Sequence, residues 1–332
     1  MTGTNNCVLI GQAAGDAINH TDAAGTIAIG YHAGGGITDG ANNTMIGYQS
    51  GVDSTGGGNN TYLGYQTAAN ATQAGQNVVI GYKAAYGNDS TAWTGDYNVI
   101  IGHDAGLSVE GNSSNHNTLV GFETGKNLTS GAENTCVGSE CGEAIDGGSN
   151  NTMIGYNCDV AASDRNDTIC IGKDITSAAN SHARLGNGSY YAELNFTTSS
   201  NSWSSTSDIR IKKDVVDGDL GLEFVNKLRT IKYKDKPSSE WSDELKSGMK
   251  VEAITSEASN VVQDGFVAQE VKKVADDLGT TFSGWQCADE KDLSERQMLQ
   301  YDKFVIPLVK AVQELSAKNE ALEARVKALE DA

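Results

Sequence analysis

The sequence predicts an all-β repeat, a β-solenoid or β-roll of stacked short coils, followed by a small α+β domain that ends in a long coiled-coil helix. Three observations carry this expectation. An aliphatic residue followed by glycine recurs eleven times up to Gly186. Each recurrence sits in a short β-favouring run bounded by glycine and asparagine, at a period too brief for a pair of helices. Residues 301–329 hold an unbroken heptad seam,.

Taken in order, the repeat places its glycine at 11, 30, 47, 64, 81, 102, 121, 138, 155, 172 and 186, and the commonest spacing is 17 residues. The phrase Asn-x-apolar-Gly-aromatic surrounds it, as in Asn43-Thr44-Met45-Ile46-Gly47-Tyr48. Asn stands four residues before the glycine at 43, 60, 77, 98, 117, 134 and 151. Glycine supplies corners where φ is positive or backbones approach closely, and asparagine is expected to adopt similar conformations. At about 4.8 Å between strands, eleven coils make a rod on the order of 50 Å long. Successive apolar residues such as Met45 and Ile46, or Val79 and Ile80, point to opposite faces of a strand,. One then faces the coil interior and the other a neighbouring chain, which implies an oligomeric rod.

An aromatic follows the glycine at Tyr31, Tyr48, Tyr65, Tyr82, Phe122 and Tyr156, with His103 in the same slot. Two readings stand: a ladder for a host glycan, with Tyr48, Tyr65, Tyr82 and Tyr156 as the candidate surface, or a packing ladder between coils or chains. Cys141 and Cys158 share a register and are expected to stack as small residues,. The five histidines and six cysteines show neither ligand spacing nor a CxxC pair, so no metal, cofactor or disulfide framework is expected,.

The net charge of -19 argues against a nucleic-acid partner,. Residues 1–206 carry 5 Lys/Arg against 18 Asp/Glu, a net of -13, so neither half is basic. The N-terminus has no cationic start followed by an apolar core, and no apolar run approaches the roughly 20 residues that cross a bilayer. A chain made in the cytoplasm, without membrane insertion, is expected.

The repeat occupies 1–186, and 187–206 reads as a serine-rich linker or neck,. Ser207-Asp208-Ile209-Arg210-Ile211-Lys212 follows, where the glycine-rich style gives way to charged, helix-prone chain. All histidines precede residue 183. A serine nucleophile at Ser207 therefore has Lys212 as its candidate base, a role lysine fills when burial or neighbouring positive charge frees its amine. Asp208 and Arg210 are supporting candidates, Arg210 as a source of positive charge or an oxyanion contact. On a flat strand an offset of five puts the two side chains on opposite faces, so a turn or another subunit must unite them.

In the last segment, Leu220 to Leu228 reads as a short helix, Ile231 to Lys234 as a strand, Glu252 to Asp264 as a weakly ordered insert, and Gly265 to Leu278 as a turn or strand continuing into a helix,. Cys287 reads as part of a polar loop. Tyr301, Val305, Leu308, Val312, Leu315, Asn319, Leu322, Val326 and Leu329 form the a/d seam, with Asn319 at an a position,.

The repeats resemble the head repeats of trimeric autotransporter adhesins and phage tail-fibre repeats, which form trimeric β-rolls. The residues from Ser207 through Lys212, with Leu222 to Tyr233, Gly265 to Val271 and Tyr301 to Leu315, resemble the peptidase S74 family of intramolecular chaperone domains. That resemblance implies a chaperone domain over 207–303, a coiled coil over 304–332, and a self-cleaving serine peptidase acting only on its own chain. Ser207 would be nucleophile and Lys212 base, within an assembled homotrimer. Attack on the preceding carbonyl closes a five-membered ring and favours cleavage of Thr206–Ser207, whereas the family pattern also permits Ser207–Asp208. The implied function is a phage tail fibre, located in the virion tail, for host-surface attachment. Its partners would be a host glycan or protein receptor and other virion tail proteins. A purely structural virion fibre and a glycan-degrading spike are the alternatives.

Overall fold

The computed structural model describes residues 6–18, 21–87, 91–111, 113–197, 207–241, 260–287 and 296–331. Two compact units divide the chain between Asp208 and Ile209.

The first unit is a β-solenoid of about ten turns. Its strands are β1 (Val8–Ile10), β2 (Ile27–Ile29), β3 (Thr44–Ile46), β4 (Thr61–Leu63), β5 (Val78–Ile80), β6 (Val99–Ile101), β7 (Thr118–Val120), β8 (Thr135–Val137), β9 (Thr152–Tyr156), β10 (Asp159–Val160), β11 (Ile169–Lys173), β12 (Thr176–Ser177), β13 (His182–Asn187) and β14 (Tyr190–Asn195). Except for β10 and β12, which pair with each other, they form one sheet in chain order. From β1 to β13 neighbours are parallel and in register, as in Thr44↔Thr61, Met45↔Tyr62 and Ile46↔Leu63. The repeated sequence explains the register, because equivalent residues stack on one another.

From β2 to β8 each three-residue strand buries its middle side chain, while Leu9 of β1 is half-buried against the same core. Ala28, Met45, Tyr62, Val79, Ile100, Leu119, Cys136, Met153 and Cys170 form the spine of the interior. Flanking residues face outward, so the predicted alternation of Met45 and Ile46 is what the backbone produces,. The corners need left-handed backbone: in the coil opened by Gly47, φ is 136° there, 52° at Gln49, 58° at Gly51 and 61° at Asn59. At Gly47 a Cβ would lie 2.1 Å from the carbonyl oxygen of Gly64 in the next coil, so the coils can close up only without one,.

The recurrent asparagines depart from expectation. The left-handed corner residue is the one before each of them, for example Asn42, Asn59, Gln76 and Asn150. Asn43, Asn60, Asn77, Asn98, Asn117, Asn134 and Asn151 are instead buried. Their amides run as a ladder: Asn134 Nδ2 donates to Gly148 O at 2.9 Å, and Asn134 Oδ1 accepts from Asn151 N at 3.0 Å. A buried amide bearing both donor and acceptor satisfies polar backbone that no strand partner reaches.

The 21-residue interval from Gly81 to Gly102 is also accounted for. Nearby coils contribute the small buried residues Ala68, Ala71, Ala74, Ala84, Ala85 and Ala105. The inserted residues bring in Trp93, fully buried and bridging Ala71 and Gly111, which fills the space these alanines leave,.

Tyr190–Asn195, inside the stretch read from composition as linker, is a strand. β14 pairs antiparallel with β13 across a two-residue turn. The Arg184 guanidinium bonds Glu193 and the carbonyl of Thr176, and lies 4.4 Å from the centre of the Tyr191 ring. This hairpin closes the C-terminal edge of the sheet, which would otherwise present a bare parallel strand. Trp203 and the rest of the neck lie outside the described residues.

The second unit contains α1 (Leu222–Lys227), β15 (Ile231–Tyr233), β16 (Gln263–Gly265), α2 (Ala268–Asp277), β17 (Trp285–Cys287), β18 (Gln297–Leu299) and α3 (Val305–Glu330). β15 pairs with β16, and β17 with β18, both antiparallel. Phe224, Val271, Ala275, Phe282 and Phe304 make the core. Cys287 belongs to the end of a strand, a correction to the loop reading, because Trp285 and Leu299 pair across that ladder. Most of the predicted weakly ordered insert, 252–259, lies outside the described residues, and its end is corrected: Gln263 and Asp264 belong to β16, where they pair with Tyr233 and Lys232. Glu314 on α3 accepts the Leu222 amide at 2.9 Å, tying α1 to α3 across 92 residues of sequence. Gly221 permits that approach, since a Cβ there would lie 2.3 Å from the Glu314 carboxylate.

Candidate functional site

At the junction, Ser207 is exposed, Asp208 half-buried, and Arg210 and Lys212 exposed. Ile209–Ile211 forms a single 3-10 turn, and the Lys212 amide donates to the Ile209 carbonyl at 3.1 Å. The five-residue offset is therefore wound through a turn rather than laid along a flat strand. Thr206, on one side of the candidate scissile bond, lies outside the described residues. Ser207 and Lys212 are both exposed among the described residues, and a lysine acts as base only when burial or neighbouring positive charge lowers its pKa.

The aromatic slot forms a continuous ladder. Tyr31 and Tyr48 have ring centres 5.2 Å apart, Tyr48 and Tyr65 5.1 Å, and Tyr65 and Tyr82 5.2 Å, with planes within 15° of parallel. His103 continues the stack on Tyr82 at 4.7 Å, and Phe122 follows at 5.5 Å, tilted by 31°. Ser139 then interrupts it. Tyr156 thus stands apart from Tyr48, Tyr65 and Tyr82, and its hydroxyl engages Glu140, whose carboxylate raises the phenol pKa. Each ring in the row remains about two-fifths exposed.

Beside the aromatics runs an outward aliphatic column, one residue per coil: Ile10, Ile29, Ile46, Leu63, Ile80, Ile101, Val120, Val137, Ile154, Ile171 and Leu185. Several of these are 36–57% exposed. A second apolar row lies on α3, where Val305, Leu308, Val312, Leu315, Leu322, Val326 and Leu329 are 47–72% exposed while Pro307 and Ala311 are buried. Both rows are longer and more continuous than the scattered apolar residues of an ordinary monomer surface.

The interior cysteines are poor nucleophiles. Burial pushes the Cys141 thiol up to about 11 and Cys170 up to about 12, and raises Cys136 and Cys158 as well,. Cys141 Sγ donates to the Gly155 carbonyl at 2.8 Å and Cys158 Sγ to the Gly172 carbonyl at 3.2 Å, consistent with small residues stacked in register. Among the described residues no group of three or more His, Cys, Asp or Glu side chains is placed to hold a metal ion.

One half-buried carboxylate is expected to make the solenoid pH-sensitive. Burial pushes Asp159 up to about 6, with Glu143 adding to the effect, although the amides of Val160 and Ala144 donate to it. The folded chain therefore holds this proton at pH values where an unfolded aspartate, ordinarily near 3.8, has lost it. Stability falls as pH rises between those two values and levels off above the folded one. The solenoid is expected to be about 1 kcal/mol more stable at pH 5 than at pH 7.5 through this group. Denaturant titrations at both pH values, compared with Asp159→Asn, isolate the contribution. An identical pH difference in the variant rejects it.

Comparison with known proteins finds no matching family model, no matching curated protein and no matching solved structure. The reading of function therefore rests on the residues and their geometry.

Proposed function

We propose that this chain is a fibre-type structural protein, a homotrimeric phage tail fibre for host-surface attachment. In this reading the C-terminal unit draws three chains together, aligns their solenoids, and is then released by cleavage at Ser207. The observation that carries it is the pair of exposed apolar rows. The aliphatic column repeats at every coil, and the a/d row of α3 has the 3.5-residue period that buries against like helices. Association of three chains covers the column on the solenoids, and association of three α3 helices covers the a/d row, each unit by itself. Asn319 at an a position sets the register of the helices at some cost in stability.

A removable aligner answers a physical problem of repeats. Slipping one chain by a whole coil preserves most contacts, so wrong alignments differ little in energy from the right one. Interchain strand structure also forms slowly and exposes aggregation-prone edges. A C-terminal helical bundle that forms first raises the effective concentration and levels the chain ends. Its removal afterwards leaves the rod held by a high unfolding barrier.

The surface position of Ser207 and Lys212 fits cleavage that waits for assembly, when neighbouring chains enclose the turn. Wild-type protein is expected to yield a product of residues 1 to about 206, while Ser207→Ala and Lys212→Ala remain at full length and keep the oligomeric mass. Intact mass spectrometry with denaturing gels reads this out. Cleavage of both variants at the wild-type rate removes the dyad from the mechanism.

The purely structural fibre remains the second reading. It is favoured by the ring faces of Tyr31 to Tyr82, which are turned to one another and so perform a packing role along the stack. Alanine variants of the exposed tyrosines, assayed for adsorption to host cells, separate the two readings.

A further inference from the structure

Four rungs of the aromatic ladder have a property that packing does not use. Tyr31, Tyr48, Tyr65 and Tyr82 are 40–43% exposed, and among the described residues their hydroxyls have no hydrogen-bond partner in the protein. The rings occupy each other's faces at 5.1–5.2 Å, so a sugar has no face to lie on. What the surface offers is a straight row of phenol edges and hydroxyls at one coil spacing. It is held rigid by the stack and by the adjacent amide rung, in which Gln66 Nε2 donates to Gln49 Oε1 at 2.8 Å.

We propose that this row is a track for a neutral, linear, 1,4-linked polysaccharide lying along the coil stack, one sugar per phenol. The inference rests on reading the solenoid as an attachment fibre and names the class of ligand that it takes. An extended 1,4-linked hexose chain advances by about one pyranose ring per sugar, which is close to the rise of one coil. Successive sugar hydroxyls therefore meet successive phenols in register, and the track, already ordered, gives up little entropy on binding. Charge favours a neutral chain on the scale of the whole solenoid: residues 1–206 carry a net -13, which disfavours a polyanion, while the residues that follow the slot along the track are His32, Gln49, Gln66 and Lys83, the last with its Nζ 5.8 Å from the centre of the Tyr82 ring,. The track ends where His103 and then Phe122, which has no hydroxyl, take over the slot. Tyr156 lies outside it because its hydroxyl is engaged by Glu140. The footprint is thus four sugars.

The test is titration calorimetry of the full chain with β-1,4-linked glucose and β-1,4-linked N-acetylglucosamine oligomers of two to six residues. Affinity for at least one series is expected to rise with length up to four sugars and then flatten. Tyr48→Phe with Tyr65→Phe keeps the stack and removes two hydroxyls. It is expected to weaken tetrasaccharide binding about tenfold while leaving the mass in solution unchanged. Failure of both series to bind a chain of three-chain mass overturns the track and leaves the fibre reading standing, as does affinity that ignores length or the loss of both hydroxyls. Length-dependent binding by a monomeric chain keeps the track and overturns the trimer.

Discussion

Gly138→Ala is expected to break the solenoid locally, at a cost of at least about 4 kcal/mol. At φ 129° the position already lies where side chains are rarely tolerated,. An added Cβ would stand 1.7 Å from the carbonyl oxygen of Gly155 and 2.7 Å from its carbon, both backbone atoms of the next coil. No rotamer change relieves a clash between two backbones, so the coils must separate and give up their ladder hydrogen bonds. Gly188→Ala is the control: it shares a positive φ, 57°, but a Cβ there meets nothing within 4 Å. That substitution is expected to cost only about 1 kcal/mol. Amide hydrogen exchange distinguishes the two. Protection of the Gly138 and Gly155 amides should fall by a factor on the order of 1000 in the first variant, equivalent to about 4 kcal/mol, and by less than about tenfold in the second. Equal losses would remove close backbone approach as the reason for glycine.

Replacement of a ladder asparagine is the second large effect. Asn134→Leu deletes the donor to Gly148 O and the acceptor for the main-chain and side-chain nitrogens of Asn151, at 3.0 Å each. It also removes one donor to Asn117 Oδ1, at 3.1 Å. At about 1–3 kcal/mol for each buried group left unpaired, a loss of roughly 3–6 kcal/mol follows, despite similar side-chain volume. Asn134→Asp adds a diagnostic. An ionised carboxylate there faces the Gly148 carbonyl, and a protonated one can donate to it, so the variant should recover part of its stability as pH falls from 7 toward 4. Thermal or denaturant unfolding at the two pH values, corrected for wild type, measures this. Wild-type stability in the leucine variant would mean that the amide ladder contributes nothing.

The solenoid was legible in the sequence because its signals are local and repeated. Every coil spells the same aliphatic-Gly corner, and stacking identical phrases leaves only an in-register parallel ladder. The helix of the C-terminal seam was legible for a similar reason, since Val305 to Leu329 obeys one period throughout. The role of the asparagines was not legible. An asparagine that turns the chain and one that lies buried beside the turn occupy adjacent positions, as Asn42 and Asn43 do, and composition cannot tell them apart. Contacts that depend on three-dimensional closure were equally hidden: Trp93 filling the space left by alanines from other coils, the β13–β14 cap, and Glu314 holding α1. At the junction the sequence supplied the candidate pair Ser207 and Lys212, and the structure adds the 3-10 turn between them.

The same geometry explains why the two apolar rows matter more than any pocket. A coil with a three-residue strand can bury one side chain inward, so its outer aliphatic must be covered from outside or left wet. At roughly 25 cal/mol per Å² of apolar surface, covering a column of eleven such residues far exceeds what one isolated contact contributes.

Sedimentation velocity of the purified chain, with intact mass determined on the same sample, decides whether three chains associate. A particle of three times the 34.8 kDa chain mass, or of three matured chains where cleavage at Ser207 has occurred, is expected. A monodisperse particle of single-chain mass, with the glycine-rich solenoid fully folded, would contradict that association.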